Sequence, residues 1–199
     1  MHHNLHRVAT RGGAKQIRTH LILNMYIKLA LFALLGSAFA GSVITKRDVQ
    51  TILTALNNVN SAAGRLDTAV KAFDGSSGAV TTLTNDNAAV LSAINTGTTN
   101  VQATTPISDN DALTVASTTQ TLINTLNTTI DDLIAKKATL DRVGQSPTVL
   151  SDLRQQNTAS TALGDAIVSK VPSDLSSIAQ SLTAQISQNF QNGITAFSS

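Results

Sequence analysis

Asp131 and Asp132 are followed closely by Lys136 and Lys137, and carboxylates beside amines are the groups that acid–base catalysis or metal binding would use. Their spacing argues against both. Adjacent aspartates on a helix point to different faces, and Asp132 with Lys136 has the four-residue offset that merely supports a helix, by about 0.3 kcal/mol. After Tyr26 the chain contains no His, Cys, Glu, Tyr, Trp or Met. That removes most of the side chains used for proton transfer, nucleophilic attack and metal ligation. Serine and lysine could form a nucleophile and base, but there is no strand-turn-helix elbow and no Ser-x-x-Lys pair in the body of the chain. The residues therefore predict a non-catalytic protein with no cofactor and no metal site.

The elements that would carry this chemistry are preceded by a leader. Met25-Tyr26-Ile27-Lys28 opens an apolar run from Leu29 to Ala40, which closes on Ala38-Phe39-Ala40 before Gly41. A basic start, an apolar stretch and small residues before the cut predict a signal peptide over 25–40. The run is shorter than the roughly 20 apolar residues of a membrane span, so no transmembrane anchor is expected. Residues 1–24 read as an extended or misassigned N-terminus. For 41–47 two readings stand: a propeptide removed at Lys46-Arg47, or two charges flanking a helix. Seven of the 14 basic residues precede Asp48, which leaves seven against 12 aspartates and a net charge near −5. The basic balance belongs to the leader, and nucleic-acid binding loses its support.

The remaining 48–199 segment is the size of one ordinary domain, and without cysteine its packing alone must hold it. Gly75-Ser76-Ser77-Gly78, Thr104-Thr105-Pro106, Gly144-Gln145-Ser146-Pro147 and Val171-Pro172-Ser173 divide it into five segments, each with apolar residues at helical spacing. The expected helices run from about Asp48 to Phe73, Ser77 to Val101, Ser108 to Gly144, Ser146 to Val168, and onward from Pro172. Ser108 with Asp111 forms a capping box, Gly144 can close the third helix in a left-handed conformation, and Ser146 with Pro147 reads as a cap and first helical residue. The predicted fold is all-α, an up-and-down bundle of about five amphipathic helices.

Polar residues interrupt the apolar stripes. Asn87 falls among Leu83, Leu91 and Ile94; Thr119 and Lys137 fall in the third stripe with Leu122, Leu126, Ile130 and Leu133; Asn157 and Ser160 lie between Leu153 and Ile167. The last stripe carries Leu182, Ile186 and Phe190. An unpaired polar group inside a core costs roughly 1–3 kcal/mol, so these side chains need a partner, exposure or a ligand. A cavity with those apolar walls and a polar end made by Asn87, Thr119, Lys137, Asn157 and Ser160 would suit a fatty acid or other amphipathic lipid. A bent helix with the polar turn exposed is the plainer reading. Asn127-Thr128-Thr129 is an N-glycosylation sequon.

The signal peptide, the Lys46-Arg47-Asp48-Val49 junction, the phrase Thr125-Leu126-Asn127-Thr128-Thr129-Ile130-Asp131-Asp132-Leu133-Ile134 and the following Lys136-Lys137 resemble the fungal hydrophobic surface-binding protein A family, which includes cell-wall galactomannoprotein antigens. The resemblance implies a secreted helical domain that adsorbs to hydrophobic surfaces and in some members encloses a fatty acid. Some relatives carry a lipid-anchor signal; Ile194-Thr195-Ala196-Phe197-Ser198-Ser199 lacks the apolar tail such a signal needs, so a freely secreted or loosely wall-associated protein is expected. A secreted protein partner is left open, and a structural cell-wall mannoprotein without lipid is the alternative function.

Overall fold

Five long helices, packed with their stripes inward, account for most of the computed structural model, which describes residues 46–199; the leader and the cut before Gly41 lie outside the described residues, whereas Lys46 and Arg47 are exposed in the first turn of the first helix. The helices are α1 over 46–72, α2 Ser77–Gln102, α3 Asp109–Ala135, the short α4 Lys137–Arg142, α5 Ser146–Val168 and α6 Ser176–Ser198. No strand occurs among the described residues. The all-α up-and-down bundle follows directly from the periodic stripes, and their members Ile52, Leu56, Val59, Val90, Ile94, Leu122, Leu153 and Phe190 are buried in one core.

Contacts between helices fix the directions. Asp48 at the start of α1 accepts a hydrogen bond from Thr105 just before α3, and Lys136 at the end of α3 donates to the Phe73 carbonyl beyond α1 at 3.0 Å. Helices α1 and α3 are therefore parallel. Asn87 meets Gln156, and Gly97 lies beside Leu163, so α2 and α5 run together in the opposite direction. Asn157 meets Ser187 and Leu153 meets Gly193, which makes α6 antiparallel to α5. Helix α6 packs along both α5 and α3, whereas α2 packs along α5. Chain order and spatial order thus differ although every long helix reverses the one before it.

Local signals place several ends. The Ser108 hydroxyl accepts from the Asp111 amide at 3.3 Å and so caps α3, but the Asp111 carboxylate takes the serine hydroxyl at 2.7 Å in place of the Ser108 backbone amide that a full capping box uses. Gly144 has φ +72°, the left-handed value that lets the chain turn into α5. Two details depart from expectation. The third helix is interrupted at Lys136 (φ −88°, ψ 0°), whose amide is shared among the carbonyls behind it, so its last turns become α4. Ser146 is already inside α5 and its hydroxyl donates to Asp141 instead of capping; Gln145 takes the cap position, and Pro147 keeps its place in the first turn.

Candidate functional site

Two cavities lie along the interior. The first is near the start of α3, the end of α5 and the start of α6, with a cavity volume of ≈ 50 Å³. Helix α1 contributes Leu56 and Val59, and α2 contributes Ile94. Helix α3 adds Leu122 and Leu126 with Thr119, α5 adds Ser160 and Ile167, and α6 adds Leu182 and Ile186. Each of these positions recurs every three or four residues, so one face of each helix builds the wall. At the rim, Leu113 is 55% exposed and Ile178 is 49% exposed, the large apolar side chains most open to solvent among the described residues.

The polar groups of this cavity differ in what they can offer. The Thr119 hydroxyl donates to the Val115 carbonyl at 2.8 Å, and that of Thr183 donates to the Ala179 carbonyl at 3.1 Å. Both donors are thereby committed to their own helices. The Ser160 hydroxyl makes no hydrogen bond among the described residues and faces the same space. The first cavity is apolar with one uncommitted hydroxyl and no charged lining residue. Gly164 lets α5 and α6 approach closely there: a Cβ on it would stand 2.3 Å from Thr183 Cγ2.

The second cavity lies toward the other end of the bundle, with a cavity volume of ≈ 40 Å³. Leu83 and Asn87 of α2, Ile130 and Leu133 of α3, Leu153 of α5 and Phe190 of α6 all line it. Leu126 borders both cavities. The polar end of the second cavity includes Gln156, which is 3% exposed and donates from Nε2 to Asn87 Oδ1 at 2.6 Å. Asp152, one helical turn before Gln156, is half-buried on the same wall, and burial pushes its carboxyl above the ordinary carboxylate range.

Four predicted positions stand elsewhere. Lys137 lies outside both cavities, bonded to Asp141 Oδ2 at 3.0 Å with its ammonium 5.9 Å from the Phe197 ring centre, because the break at Lys136 takes it off the α3 stripe. Asn157 lies between α5 and α6, accepting from Ser187 at 3.1 Å. Leu91 is half-buried and borders neither space. Asn127 is exposed on α3, with its amide 3.4 Å from Asp131, so the sequon sits on an open helical surface. The residues that sequence reasoning missed are Gln156, Asp152, Leu113 and Ile178. Gln156 lies three residues after Leu153 and four before Ser160, which is the spacing that could have found it.

No group of three or more metal-ligating side chains occurs among the described residues, and no described helix is long and apolar enough to cross a membrane. Fold and cavities together define a helical bundle with small, open-mouthed apolar spaces between its helices. The family described as hydrophobic surface binding protein A matches residues 49–169, and the chain belongs to that family. It is 34% identical over 164 residues to cell wall mannoprotein 1 of Aspergillus flavus and 32% identical over 170 residues to that of Aspergillus fumigatus, covering 82% and 84% of this chain. The chain spans 59% of the length of each of these relatives. Among solved structures it is similar to ligand binding domain 1 of the Penicillium marneffei MP1 protein complexed with arachidonic acids, with TM-score 0.72, 31% identity and coverage of 75% of this chain and 98% of that one. AFMP4P in complex with palmitic acid is also similar, with TM-score 0.72, 25% identity and coverage of 75% and 99%.

Proposed function

We propose that this protein is a secreted, wall-associated binder of fatty acids or related amphipathic lipids that performs no turnover chemistry. The observation that carries the reading is the first cavity: an apolar slot between α3, α5 and α6, entered past exposed Leu113 and Ile178, with Ser160 as its free hydrogen-bonding group. A hydrocarbon chain would gain about 25 cal/mol for each Å² of apolar surface it removes from water, and a single hydroxyl contact would orient its head. The fatty acids bound to the similar MP1 and AFMP4P domains support the same ligand class, and the cell wall mannoproteins support the location. Exposed apolar groups at the rim give the adsorbing mode a starting point, since the surface that meets a hydrophobic phase is continuous with the slot.

Native mass spectrometry of the secreted protein, before and after delipidation and addition of palmitate, tests this reading. A bound fatty acid, removable and replaceable with one equivalent in the first cavity, is the expected result. A protein that is isolated empty and takes up no palmitate would overturn it and leave the structural wall mannoprotein as the better account.

A further inference from the structure

The first cavity, at ≈ 50 Å³, is far smaller than the roughly 300–1,000 Å³ of a pocket that encloses a ligand. An acyl chain therefore enters only if a wall moves, and the walls are not held alike. Leu56, Ile94, Leu122 and Leu163, from α1, α2, α3 and α5, are each at most 4% exposed. On the α6 side Val171, Leu175, Ile178, Ala179 and Leu182 line the space, and none of them is buried.

Helix α6 is anchored in its second half. Its buried residues are Ile186, Phe190, Gly193 and Phe197. Its start has no side-chain cap and no acid in the first turn, whereas Ser76 caps α2 and Ser108 caps α3. Hydrogen bonding divides at the same places. Before the helix, the Lys170 ammonium donates to the Gln102 and Thr104 carbonyls at 3.0 and 2.6 Å, and the Lys170 carbonyl accepts from the Ile107 amide at 2.9 Å. Past Ile186, Ser187 donates to Asn157 of α5 at 3.1 Å. Between these ties the hydrogen bonds of 171–186 are local among the described residues: within the stretch, to the next turn of α6, or back to Val168. Thr183, although it packs against Gly164 of α5, commits its hydroxyl to the Ala179 carbonyl and forms no bond across the seam. A stretch with few buried contacts and only local hydrogen bonds is the part of a fold that opens first.

We infer that 171–185 is a lid over the first cavity, closed in this structure, which swings outward between the tie at Lys170 and the anchor at Ile186. The lid's role in uptake rests on the first cavity being the lipid space; its opening is measurable without a ligand.

Hydrogen exchange of the delipidated full protein reads the opening. Amides 180–185 are expected to exchange at least about tenfold faster than amides 187–194 of the same helix, and to slow when palmitate is added. Two matched substitutions connect opening to uptake. Gln180 in the lid and Gln191 beyond the anchor are both exposed, and a glycine at either costs the same helix propensity. Gln180→Gly should speed lid exchange, and the uptake of cis-parinaric acid followed by its fluorescence, by about fivefold, the factor that a glycine in a helix interior corresponds to. Gln191→Gly should leave both as in wild type. Exchange at 180–185 as slow as at 187–194 would overturn the lid. Equal uptake rates in the two variants, with palmitate bound by both, would also overturn it while the fatty-acid reading stands. Fast exchange at 180–185 in a protein that takes up no palmitate would remove that reading and keep the opening.

Discussion

Gly164 of α5 and Thr183 of α6 are in such close register that a Cβ on the glycine would lie 2.3 Å from Thr183 Cγ2, 2.7 Å from its Oγ1 and 3.1 Å from its Cβ. Rotating the threonine exchanges one γ atom for the other, so a larger residue at 164 must move a helix. Both residues also line the first cavity, and the same contact therefore sets the separation of two of its walls. Gly164→Val is expected to cost about 1–3 kcal/mol in urea unfolding, the range of overpacked cores. Thr183→Ala in that background should return part of the loss. A Gly164→Val protein as stable as wild type would show that the two helices are free to separate.

Ser160 separates binding from folding. Its hydroxyl has no protein partner among the described residues, so Ser160→Ala leaves the melting temperature nearly unchanged. Palmitate affinity should fall about fivefold, the equivalent of one hydrogen bond of ~1 kcal/mol. Asn157→Ala, next along the chain to the amide-pair side of α5 but bonded to Ser187, is the comparison that should leave affinity as it was. Isothermal titration of the two variants reads the difference directly.

Leu113 and Ile178 stand at the rim and contribute little to the core. Replacing either with aspartate should change stability by less than about 0.5 kcal/mol, as for most surface positions. Uptake of palmitate and adsorption to an octyl-coated surface should both decline, because one rim serves both. Loss of uptake with adsorption unchanged would place the adsorbing face elsewhere on the molecule.

The acid response has a defined sign. Hydrogen bonds from Ser146 and then Lys137 hold the Asp141 carboxyl below its ordinary 3.8, and the Ser76 amide does the same for Asp74. Carboxyls with depressed folded-state values stabilise above the unfolded value, and that contribution is lost as pH falls through the folded value. Asp141→Asn should therefore be less stable than wild type at neutral pH, with the gap in melting temperature closing as pH drops below 3.8. Asp152 acts oppositely: its carboxyl is raised by burial, so ionisation there costs stability and Asp152→Asn should melt higher at neutral pH. A gap for Asp141→Asn that is constant with pH would contradict the assignment.

The parts of the fold that could be read from the sequence are those set locally. Ser108 and Asp111 are three residues apart and make the serine half of the capping box, and Gly144 has the left-handed conformation that closing a helix there requires. The break at Lys136 coincides instead with a long-range contact, in which its side chain reaches the Phe73 carbonyl. Projecting the α3 stripe through that break carried Lys137 onto a face it does not occupy. In α2 the difference between neighbours is angular. From Leu83 the helix returns to the same face at Val90, about 20° away, whereas Leu91 is about 80° away; Val90 is buried and Leu91 is not. Gln156 and Asn157 both fit the spacing from Leu153, and only the position of α2 decides that Gln156 turns inward to Asn87. Leu122, Leu126 and Ile130 share one face because the stripe is a property of one helix. Which polar residues share a space is a property of several.

Leu126 belongs to the walls of both cavities, so one isobutyl group faces the two spaces at once. A change of its rotamer would enlarge one at the expense of the other, and the two volumes are thereby coupled through a single side chain without any movement of the helices.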